Sequence, residues 1–189
     1  MAKKYAIFTC RVTLFLFCLI YLQQNTAFSS INLLDGGRVV SASPFDSKAR
    51  GAGCFDIALP EQPARLDTQS IEGLFFTAKS FRYSSDRGGD RWQSADETQQ
   101  RRSGDCEDKA IWLFTRLLES GAADVRLVIG RYRSIDSNLH VWVVCSDSDG
   151  NVRLLDPAIQ KRVWILTAVD SGLYQPLYAY DGRSCYRYF

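Results

Sequence analysis

The sequence holds a single histidine, His140, and none of its cysteines fall in a Cys-x-x-Cys pair. Zinc sites draw on clustered cysteine and histidine, so these two absences exclude the ordinary ones. No apolar run is long enough for a spanning helix, which needs about 20 residues. The run near the N-terminus, Val12 to Leu22, stops well short of that. No internal repeat or low-complexity tract occurs, which excludes solenoids and arrays. Strand-like segments are too few for a closed outer-membrane barrel of at least about eight strands. A surplus of charge is missing too. The chain carries 23 basic and 21 acidic residues, a balance that gives no case for a nucleic-acid partner.

The N-terminus has the layout of a secretory leader. Lys3, Lys4 and Arg11 precede and open the apolar run, polar "QQNT" follows, and "AFS" ends a small-x-small pattern at Ser29. A leader cleaved after Ser29 is expected, with an uncleaved anchor as the alternative. The three basic residues leave with it and no acid does, so 20 basic residues face 21 acids, a balance of −1. Cys10 and Cys18 leave as well, and Cys54, Cys106, Cys145 and Cys185 remain. In an oxidising compartment, four cysteines could form two bridges in three pairings.

Residues 30–65 are rich in Gly, Ser, Ala and Pro and read as an irregular segment laid over a domain spanning 66–189. Ile71, Leu74, Phe75 and Ala78 have helical spacing within Ser70–Tyr83. Ser94 with Glu97 forms the pattern of a capping box opening a short helix before Gly104. Ala110, Ile111, Leu113, Phe114, Leu117 and Leu118 mark a helix buried on most sides, starting at Asp105 or Cys106 and closed by Gly121. From Val125 the period becomes that of strands: 125–133, 139–145, 152–156 and three shorter runs after them. Helices first and an antiparallel sheet afterwards make an α+β fold.

Cys106, His140 and Asp156 then stand at the start of the buried helix, on a strand, and at the end of the next strand. Thiol, imidazole and carboxylate in these places can act as nucleophile, base and orienting group. The helix N-terminus and an adjacent imidazolium favour a thiolate, whereas Asp105 and Glu107 oppose it. Each residue also has a plainer reading. A lone histidine in a strand can be a hydrogen-bonded core residue, a secreted cysteine is commonly bridged, and Asp before Pro is common turn chemistry.

The stretches "GDCEDKA" (104–110), "HVWVV" (140–144) and "LLDP" (154–157) resemble the bacterial transglutaminase-like cysteine peptidases. "RWQSADET" (91–98) resembles the lead-in those proteins carry before their cysteine, and the likeness runs from Leu66 to Pro157. It implies a papain-like α+β fold, a periplasmic or secreted location, and Cys106, His140 and Asp156 as nucleophile, base and orienting acid. Trp92 or Gln93 would shape the oxyanion site together with the Cys106 backbone N–H. Some members release adhesins from the cell surface and require calcium, and their ligands match Asp105 and Glu107. A bound Ca²⁺ would neutralise the acids beside the sulfur. The alternative is a solvated helix start whose acids only satisfy the dipole.

The expected protein is thus an exported cysteine peptidase, a monomer acting on a protein or peptide substrate, with cell-surface proteins among the candidates. No membrane attachment beyond the leader is expected. Acyl transfer to an amine, as in transglutaminases, uses the same residues. A non-catalytic binding module with a bridged Cys106 is the third reading. If Cys106 is catalytic, one bridge among Cys54, Cys145 and Cys185 is expected.

Overall fold

Alternation along β4 (Arg126–Tyr132) and β5 (Leu139–Ser146) sends side chains to two sides, and both sides are buried. Leu127, Ile129, Val141, Val143 and Cys145 join one apolar cluster, while Val128, Trp142 and Val144 join another. A computed structural model describes Leu34 and residues 36–133, 138–166 and 173–189 of the chain. The expected leader, Met1–Ser29, lies outside the described residues. Among the described residues the strands form a seven-stranded sheet in the order β1-β9-β8-β4-β5-β6-β7, every pairing antiparallel. Its other members are β1 (Arg38–Val40), β6 (Val152–Leu155), β7 (Trp164–Ile165), β8 (Tyr174–Tyr180) and β9 (Cys185–Arg187).

The first cluster is where the helices dock. Ile111, Leu113, Phe114 and Leu117 of α4 (Cys106–Glu119) pack there with Ile71, Phe75 and Ala78 of α2 (Thr68–Ser80). Asp67 caps α2 by accepting the Ser70 N–H at 2.8 Å. At its other end the buried Lys109 of α4 donates to the carbonyls of Phe81 at 2.9 Å and Lys79 at 3.3 Å. These bonds satisfy acceptors that a helix end would otherwise leave bare. Ser94 opens α3 (Ala95–Arg101), accepting from the Glu97 N–H at 3.2 Å as the sequence pattern predicts. The opposite sheet face carries an aromatic layer of Trp142, Tyr174 and Tyr188.

Two features differ from the sequence reading. The 30–65 segment contributes regular structure: β1 pairs with β9 at the sheet edge, and α1 (Asp46–Gly51) is followed by the buried Ala52 and Cys54. The expected bridge is also missing, because Cys54, Cys106, Cys145 and Cys185 are all free thiols. Cys54 and Cys145 each sit in the apolar cluster under the helices, which is packing enough to account for them.

Two short strands deliver the chain to α4. β2 (Arg82–Tyr83) and β3 (Ser103–Gly104) pair in parallel, with Tyr83 opposite Gly104, and Asp105 then caps the helix. A Cβ on Gly104 would lie 2.4 Å from the Asp108 Cβ and 2.6 Å from its Oδ2, so only glycine lets that carboxylate fold back over the helix start.

Candidate active site

Cys106 is the first residue of α4 and half-buried. Its thiol donates to Glu107 Oε2 at 3.0 Å. Burial pushes the thiol's pKa well above the ordinary range, and the Glu107 carboxylate adds to this. The backbone of Val141 on β5 works the other way. Val141 is the neighbour of His140 on β5.

His140 and Asp156 are brought together directly, with Nε2 and Oδ2 2.7 Å apart. The ladder shows how. Val143 pairs with Leu155, so one further step sets Asp156 opposite Trp142. His140 is two residues from Trp142 and shares its face, which makes the contact a diagonal one rather than a direct cross-strand pair. The fully buried carboxylate accepts, so Nε2 carries the hydrogen and Nδ1 is left as the basic nitrogen. The ring lies beside Tyr132 and Trp142, at centroid distances of 5.9 and 6.2 Å. Hence the structure joins imidazole to carboxylate, while the thiol is bonded to Glu107 and not to the imidazole.

The acids around the sulfur are buried rather than solvated. Asp105, Glu107 and Asp108 all lie below the surface. One carboxylate oxygen from each of Asp86, Asp105 and Glu107 falls within 4.8 Å of the others. Burial and the adjacent Glu107 push the Asp105 carboxyl up to about 7, and burial also raises Glu107. Asp105 Oδ1 is buried without a hydrogen-bond partner. Three hard oxygen donors, one of them orphaned, fit a divalent cation such as Ca²⁺ better than a softer metal.

Of the two oxyanion candidates, Trp92 is packed in the core, its ring parallel to Phe45 at 6.3 Å. Gln93 lines an open cleft of about 570 Å³, whose walls include Asp86, Arg87, Arg91, Arg101 and Ser103. Asp108 holds Gln93 twice: Oδ1 accepts its backbone N–H at 2.8 Å and Oδ2 its side-chain amide. The same carboxylate accepts the Asp105 N–H at 3.3 Å. An amide has two N–H groups, so the bond to Asp108 uses one of them, and the amide oxygen Oε1 is buried without a partner.

Three residues of this site escaped the sequence reading. Asp108 stood three residues after the helix cap, a spacing that a capping-box search finds. Asp86 sits in a glycine-rich loop with no periodic pattern. Tyr174 donates its hydroxyl to Asp156 Oδ2 at 2.9 Å from a strand far along the chain, and no local pattern marks it.

α4 opens on the cysteine and docks on an antiparallel sheet, with His140 on β5 and Asp156 one residue past the end of β6. The chain shares this fold with LapG of Legionella pneumophila. Against the calcium-bound form of that protein the TM-score is 0.54 at 19% identity, covering 63% of this chain and 67% of LapG. The EGTA-treated form gives 0.55 at 19% identity, covering 64% and 67%. No family model and no curated protein sequence matches the chain. Among the described residues no helix is long and apolar enough to cross a membrane.

Proposed function

We propose that this protein is an exported cysteine peptidase that hydrolyses a protein or peptide substrate, with cell-surface proteins among the candidates. One observation carries the reading: His140 on β5, the strand packed against the helix that opens on Cys106, is closed onto the buried Asp156 at 2.7 Å. The likeness of fold to LapG supports it, and the leader-like N-terminus supports export.

His140 Nδ1 takes the Cys106 proton, and the thiolate attacks the scissile carbonyl carbon. The Cys106 backbone N–H and the spare Gln93 N–H receive the developing oxyanion. The imidazolium protonates the leaving amine as the C–N bond breaks, which leaves a thioester. Water then loses a proton to His140, attacks the acyl carbon and frees the thiol. Asp156 keeps Nε2–H oriented throughout. Asp86, Asp105 and Glu107 are the residues that would hold Ca²⁺, whose positive charge would offset the carboxylates that oppose a thiolate. Glu107, so engaged, would be a weaker acceptor for the thiol it now holds.

Incubation of the full chain with candidate surface proteins, with EGTA or added calcium, tests this. Cleavage is expected with calcium, loss in EGTA, and a fall of at least about 10³-fold in Cys106→Ala. Retained cleavage by that variant ends the reading. A labelled amine that enters the product in place of water would instead identify the acyl-transfer outcome.

A further inference from the structure

Asp156 is fully buried, and four hydrogen bonds reach its carboxylate. Two come from the turn that follows it: the backbone N–H groups of Ala158 and Ile159 donate to Oδ1 at 3.0 and 3.1 Å. The other two share Oδ2, His140 Nε2 at 2.7 Å and the Tyr174 hydroxyl at 2.9 Å. The Oδ1 bonds hold one oxygen to its own turn and leave the tilt of the other undefined. Tyr174 supplies the missing restraint from β8, which is separated from β6 by β4 and β5.

The phenol is itself held. Its ring sits 5.0 Å from Tyr132, 5.1 Å from Trp142 and 6.3 Å from Trp164, the last two edge-on. Its ionisation is strongly disfavoured by burial and by Asp156, so it remains a hydrogen donor. We propose, on the peptidase reading given above, that Tyr174 is a positioning residue for the base. Its hydroxyl fixes Asp156 Oδ2 where Nε2–H meets it, and so holds the imidazole in the tautomer and tilt that present Nδ1 to the sulfur.

Sharing an oxygen has an electrostatic consequence with a definite sign. A hydroxyl donated to Oδ2 draws charge away from the oxygen that supports an imidazolium. Removing it returns that charge to His140 and makes the ring easier to protonate. Among the described residues, the other titratable groups beside this pair are Cys106 of α4, which the imidazole serves in the reading above, Tyr132 of β4, whose ring also packs on Tyr174, and Lys109 of α4, which senses Asp156.

Tyr174→Phe keeps the ring and removes only the hydroxyl. His140 is the single histidine, so NMR of its ring reports the effect without assignment ambiguity and without any activity. The expected result is an upward shift of the His140 titration by about half a unit or more, with kcat down about tenfold and KM little changed. A folded variant whose His140 titrates as in the wild type overturns the proposal, since a purely packing role would leave that titration alone. Should the variant fail to fold, the wild-type protein decides. A Tyr174 hydroxyl proton with a cross-peak to the His140 Nε2–H supports the proposal, and the absence of that cross-peak refutes it. Cleavage retained by Cys106→Ala would sink the peptidase reading separately and leave the NMR result standing.

Discussion

At the scale of single residues, Asp105 has the clearest linkage to pH. Burial and the adjacent Glu107 push its carboxyl up from 3.8 to about 7, and burial pushes Asp108 up to about 6. The folded state thus holds protons that the unfolded chain releases near pH 4. The associated stability is complete below about pH 4 and is lost as pH rises through about 7. In EGTA the melting midpoint is expected to fall as pH rises from about 5 to 8, and added calcium should raise it most at the upper end. Asp105→Asn removes the repulsion, so in EGTA at pH 8 it should melt a few degrees above the wild type and no longer respond to calcium. A wild-type midpoint that climbs with pH in EGTA would contradict the assignment. Asp105 and Glu107 were legible in the sequence because they flank Cys106 covalently. Asp86 was not, because only the fold of the loop after β2 brings it to them.

At the scale of elements, β3 and the first turn of α4 act as one device. Gly104 lets Asp108 fold back to the Asp105 N–H and to Gln93. A methyl group there would meet the Asp108 Cβ, which belongs to the helix and has little room to move. Gly104→Ala should cost about 2–3 kcal/mol in urea unfolding and depress cleavage further by displacing Gln93. An unchanged midpoint would show that the carboxylate is freer than its contacts imply. The buried helix and the β5–β6 hairpin could be read from apolar periodicity, because each repeats its pattern over several residues. Hairpin register could not. The sequence allowed His140 and Asp156 to meet as direct partners, whereas the Asp147–Gly150 turn sets Val143 against Leu155 and makes the contact diagonal. Two-residue strands such as β2 and β3 leave no period to read at all.

At the scale of the whole molecule, the segment before Asp67 decides where the folding unit begins. Its composition, rich in Gly, Ser, Ala and Pro, read as irregular because those residues form no periodic apolar face. In the structure Ala49, Ala52 and Cys54 share a core cluster with Ile111 and Phe114, and Phe45 stacks on Trp92. Ser43 donates to Asp46 Oδ1 at 2.7 Å, and Tyr180 of β8 donates to the same oxygen at 2.9 Å, so the start of α1 is tied to the sheet. β1 also covers the β9 edge, which would otherwise offer open backbone groups for aggregation. A chain of residues 66–189 should therefore lose at least about 3 kcal/mol relative to 30–189 and unfold with a smaller urea slope, since it buries less surface. The loss should reach the chemistry as well. Trp92 precedes Gln93, and without Phe45 stacked on its ring the Gln93 backbone loses one support and is left to its bonds with Asp108. Cleavage by 66–189 should consequently fall by more than its folded fraction accounts for, measured at a temperature where both chains are native. Equal midpoints, slopes and rates for the two chains would mean that the segment is a loose overlay and that the site is complete without it.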